Sequence, residues 1–159
     1  MVGVGGCFDR RLLQPTERTM QYICDALDLT WFRLENTGEA ELESQLMDHA
    51  VDKYFKQAHD AAVCSYTPPE GVPAMEQNIG LNGHIARSMP RFLTLRDNEG
   101  TALVTAMLPP EDMDLRALRP VIVAKGNTDP YVQYRNAIDA LARHVNFELD
   151  RDVCFPYGR

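Results

Sequence analysis

The stretch Pro120-Val121-Ile122-Val123-Ala124-Lys125-Gly126-Asn127-Thr128-Asp129-Pro130-Tyr131 decides the fold. Its apolar run, three of whose residues are β-branched, predicts a buried strand over 120–124. Lys125, Gly126, Asn127 and Thr128 then supply a tight turn. Asp129 and Pro130 open a helix, since proline suits the first helical position and an acid beside it accepts free N–H groups. Tyr134, Ile138, Leu141 and Val145 continue at helical spacing, so a C-terminal helix is expected over about 130–145. Arg143 and His144 fall near its negative end, where the dipole favours cations.

Backbone N–H groups at a strand-to-helix junction can hold an anion, which makes Lys125, Gly126, Asn127 and Thr128 the candidate anion-binding residues. Against this, glycine and asparagine are what a tight turn requires, and Asp129 competes with an anion for the same N–H groups. The phosphate-loop pattern Gly-x-x-x-x-Gly-Lys-Ser/Thr is absent. The simpler reading is a structural turn.

Upstream, two β-prone runs flank Asp97-Asn98-Glu99-Gly100, a short polar connection closed by glycine, and predict a hairpin over 91–108 that Pro109 and Pro110 terminate. The run from Leu29 to Leu34, with Trp31 and Phe32, is expected as a short strand. Before it, Met20, Ile23, Cys24 and Leu27 are spaced as one helix face, so a first helix is expected to start near Pro15-Thr16-Glu17. A long helix is expected over about 38–63. Thr37 would cap it, Glu39, Glu41 and Glu43 would face the positive dipole end, and Asp52 would pair with Lys56.

Residues 67–78 read as a flexible loop rich in proline, and residues 1–14 as irregular. Alternation of Ile79, Leu81 and Ile85 makes 78–86 a candidate strand. The odd-numbered apolar positions from Phe147 to Tyr157 make 147–157 another. Together these give one α+β domain over 1–159. An antiparallel sheet, built from the 91–108 hairpin and strand 120–124, packs against the 38–63 and 130–145 helices.

Composition narrows function without naming it. A chain of 159 residues can bury a core with no disulfide or metal. A net charge of -7 opposes a nucleic-acid role. The acidity is concentrated in residues 1–62, which carry 11 acids against 6 bases. No apolar run reaches membrane-spanning length, so a soluble cytoplasmic protein without a membrane partner is expected. The cysteines, Cys7, Cys24, Cys64 and Cys154, are too dispersed for C-x-x-C chemistry, and neither cofactor nor metal is expected. His49 with Asp48 and Asp52 is better read as a solvated helix face than as a metal site.

The expected role is therefore a small acidic binding or adaptor module, chaperone-like or immunity-like, acting on a protein partner or on itself as a homodimer. Two other classes compete. One is a small enzyme using His84 with Cys64 or Ser65, or with the 125–129 loop. It requires His84 in a cleft within hydrogen-bond reach of a nucleophile or an acid. The other is a small-ligand sensor with a methionine-rich pocket, which requires an enclosed cavity of several hundred cubic ångströms, on the order of known ligand sites.

Overall fold

A computed structural model describes residues 20–110, 118–154 and 156. Among these the strands are β1 (Gln21–Ala26), β2 (Leu29–Arg33), β3 (Arg91–Arg96), β4 (Ala102–Leu108) and β5 (Val121–Ala124). The helices are α1 (Thr37–Met47), α2 (Val51–Ser65), α3 (Ala74–Ser88) and α4 (Tyr131–Val145). The strands form one antiparallel meander in the order β1-β2-β3-β4-β5. The α+β class, the 91–108 hairpin, the 120–124 strand and the C-terminal helix all stand as the sequence predicts. Gly100, at φ 82, closes the β3–β4 connection, and the ladder shifts register beside Arg96. This is the glycine-closed bulge that the polar connection implied.

Alternation along the strands divides the sheet into two faces with separate cores. Trp31, Leu93, Leu95, Val104, Ala106 and Ile122 share one core with Ile138 and Leu141 of α4. The single tryptophan is fully buried there, and its indole N–H donates to the Ala137 carbonyl at 2.9 Å. On the other face, Phe92 packs with Val51, Phe55 and Ala62 of α2, beside Met89 and Ala40.

Six expectations are corrected. The 38–63 segment is two helices, because Asp48 takes a left-handed conformation (φ 51, ψ 55) and ends α1. The break is clipped by side chains: the Asp52 N–H donates to Ser44 Oγ at 2.8 Å, and Ser44 Oγ donates to Asp52 Oδ1 at 2.9 Å. Residues 78–86 are helical within α3, where Ile85 faces the second core while Ile79 stays exposed, so the apparent alternation marked no sheet face. The same helix begins inside the segment read as a 67–78 loop, at Ala74 just after Pro73. Residues 147–154 and 156, from the 147–157 candidate strand, form turns and irregular chain, and Leu149 and Cys154 pack into the α4 core rather than onto a sheet edge.

Where a first helix was expected, residues 21–26 form β1. Pairing with β2 through a two-residue turn at Leu27 and Asp28 overrides the helical spacing of Ile23, Cys24 and Leu27. The helix start at 15–17 and residues 1–14 lie outside the described residues. Asn36, not Thr37, caps α1, accepting the Glu39 N–H at 2.9 Å, while the Glu39 carboxylate accepts the Glu35 N–H.

Candidate functional site

The α1–α2 break delivers His49 to the sheet face opposite α4. Across that face the register aligns Phe32, Thr94, Thr105 and Val123, one from each of four strands. Two threonines thus sit in the middle of an apolar surface, and they are not left dry. Arg96, only 2% exposed, donates from Nε to Thr94 Oγ1 at 3.0 Å and from Nη1 to the Gly100 carbonyl at 3.1 Å. Its Nη2 donates to Glu43 Oε1 at 2.7 Å, forming a fully buried ion pair. Burying either charge alone is expensive, and each neutralises the other here.

The chain of bonds continues toward the surface. The Thr105 hydroxyl donates to Glu43 Oε2 at 2.5 Å, so its oxygen is left to accept. His49 Nε2 lies 2.9 Å from that oxygen and must carry the proton. His49 Nδ1 in turn accepts the Val51 N–H at 3.4 Å, which suits the same neutral tautomer. Burial holds the His49 pKa below the ordinary histidine value, against the opposing charges of Glu43, Asp52 and Asp48.

Above this floor opens a partly enclosed cavity of about 530 Å3. Val51, Phe92, Met107, Val121 and Val123 give it apolar walls, while His49 and Thr105 form its polar floor. Tyr54, largely exposed, and Asn127 stand at its rim. Because the floor groups already satisfy one another, the surface offered to an occupant is mainly apolar, with polar chemistry confined to the edge.

Of the candidate anion-binding residues, Lys125, Gly126 and Asn127 form a single 3-10 turn after β5. Gly126 (φ 67) and Asn127 (φ 60) both take positive φ, which glycine and asparagine accept most readily. Thr128 closes the turn by donating to the Lys125 carbonyl at 2.7 Å. Asp129 accepts the Tyr131 N–H at 2.9 Å and also pairs with Arg151, so its charge is partly neutralised. Asn127 alone of the four lines the cavity.

His84 does meet a hydroxyl, with Nε2 2.7 Å from Ser65 Oγ. However, Ser65 donates its proton to the Ala62 carbonyl at 2.9 Å, so His84 serves as donor rather than base. Among the described residues the other hydrogen-bond partner of His84 is Ser88, a second hydroxyl. Cys64 is exposed, and Cys24, Cys64 and Cys154 are free thiols. Among the described residues no group of three or more His, Cys, Asp or Glu side chains is arranged to hold a metal, and no helix is long and apolar enough to cross a membrane.

Glu43, Thr94, Arg96 and Thr105 were not singled out as site residues from sequence. One signal marks them: Thr94, Arg96 and Thr105 share one phase of a hairpin whose other phase is Leu93, Leu95, Val104 and Ala106. No protein-family model, curated protein or solved structure matches this chain.

Proposed function

We propose that this protein is a small-ligand-binding domain of the sensor type, taking a compact, mainly apolar molecule into the cavity between α2 and the β3–β5 face. The observation that carries this reading is the cavity of about 530 Å3 with aliphatic and aromatic walls over a hydrogen-bonded floor. Its volume falls within the roughly 300–1,000 Å3 typical of small-molecule sites. The occupant has an apolar body against Val121, Val123 and Met107 and one polar end toward Asn127 and Tyr54. Among the described residues Met107 is the one methionine in the cavity walls, which are there aliphatic and aromatic more than thioether-rich.

Indole and 1-octanol serve as probes, with binding followed by amide chemical shifts and by thermal denaturation. Saturable shifts at Met107, Val123 and Asn127 are expected, together with a raised melting temperature. Val123→Phe, which fills the cavity, should weaken both probes at least tenfold while the chain stays folded. Absence of saturable binding, or probe affinity unchanged in Val123→Phe, rejects the reading.

The adaptor role expected from composition draws on a different observation. No side chain of helix α3 is fully buried, and Met75 and Ile79, one turn apart, are 76% and 66% exposed. A solution mass above that of the monomer, reduced by Ile79→Glu, would favour self-association through this face.

A further inference from the structure

A second cavity, of about 310 Å3, lies where the end of β2 meets α2 and α3. It differs in kind from the first. Phe55 and Met89 give it an apolar side, but Arg33 and Glu35 bring opposite charges to its wall, beside the amides of Gln21 and Asn82.

The backbone explains how these groups converge. Gln21 and Arg33 are cross-strand partners in the β1–β2 ladder. The Leu34 N–H donates to the Phe92 carbonyl at 2.8 Å, which keeps the chain extended one residue past β2. Glu35 therefore stands two extended residues beyond Arg33, about 7 Å along the chain. Its own N–H is fixed by the Glu39 carboxylate at the start of α1. Arg33 makes one long bond, from Nη2 to the Ala86 carbonyl at 3.4 Å. Among the described residues neither Arg33 nor Glu35 has an ion-pair partner. Burial raises the Glu35 carboxyl above its ordinary value; Arg33 opposes this and Glu39 adds to it. The carboxylate is thus partly desolvated without a full counter-charge.

We propose that this cavity binds a free α-amino acid with an apolar side chain. The Arg33 guanidinium takes the ligand carboxylate, a pairing its planar fork suits. Glu35 takes the ammonium group, and the side chain lies on Phe55 and Met89. A zwitterion answers both wall charges at once and adds no net charge to the site. A simple anion or cation leaves one of them unanswered. This site is independent of the ligand cavity described above.

The test titrates the full chain with L-leucine, L-leucinamide, which lacks the carboxylate, and N-acetyl-L-leucine, which lacks the ammonium, by calorimetry and amide shifts. L-leucine should bind saturably, with side-chain amide shifts at Gln21 and Asn82, and each blocked analogue should bind at least tenfold more weakly. Arg33→Ala and Glu35→Gln should each weaken L-leucine at least tenfold. Arg33→Ala should leave L-leucinamide unaffected, and Glu35→Gln should leave N-acetyl-L-leucine unaffected. Circular dichroism checks folding, and Arg33→Lys, which retains the charge but not the fork, replaces Arg33→Ala should the latter unfold. No saturable binding of L-leucine, equal affinity for the blocked analogues, or shifts at Asn127 instead of Asn82 would overturn the proposal.

Discussion

Removing Arg96 leaves the Glu43 carboxylate, which has no solvent-exposed surface, without its cation. Breaking a buried pair from one side costs about 3–5 kcal/mol, so Arg96→Met should lower unfolding free energy in urea by that order at pH 7. Adding Glu43→Gln to the same chain should restore part of the loss, because the stranded charge is then gone. His49 gives a second test at this scale. Its folded pKa is lowered by burial, while the unfolded chain titrates near the ordinary value of about 6.5. As pH falls through 6.5 the unfolded state takes up the proton first, so stability declines, and the decline is complete below the folded value. Urea unfolding at pH 7.5 and 5.5 should therefore show a steeper loss in the native chain than in His49→Gln. The Glu35 carboxyl, raised on folding, acts in the opposite direction, but it is present in both proteins and cancels from the comparison.

At the scale of elements, what was legible in the sequence were the segments whose local and long-range preferences agree. Strand β5 and helix α4 combine an apolar period with proline and aspartate at the boundary. The β3–β4 hairpin combines β-prone residues with a glycine where positive φ is needed. What was not legible were segments where local chemistry is overruled or silent. The α1–α2 junction carries neither glycine nor proline, and its break depends on Asp48 entering the left-handed region and on Ser44 meeting Asp52. The candidate site inherits that difficulty, because His49 reaches Thr105 only through this break. Asp48→Gly separates the two accounts by sign. At a left-handed helix end, glycine should stabilise by about 0.5–1 kcal/mol in chemical denaturation. In an uninterrupted helix it would instead destabilise by about 0.3 kcal/mol, the difference between glycine and aspartate in helix propensity.

For the molecule as a whole, the sheet separates two cores that must both be intact. Ile138, 1% exposed, packs on the α4 side, and Ile138→Ala should cost about 2–4 kcal/mol in urea unfolding. Trp31 emission reports this directly, because the indole is bonded to the adjacent Ala137 carbonyl. The meander order carries a consequence for the speed of assembly. Neighbouring strands are also neighbours in sequence except at one seam: between β2 and β3 lies all of residues 34–90, three helices included. Closing that seam costs about 2 kcal/mol more in chain entropy than closing the short β3–β4 connection. The β3–β4–β5 unit is thus positioned to form first, with the β1–β2 hairpin docking late. Substitutions in β4 should slow refolding in stopped-flow measurements. Substitutions in β1 should mainly speed unfolding, making the strand beside the Arg33 cavity the first to open and the last to close.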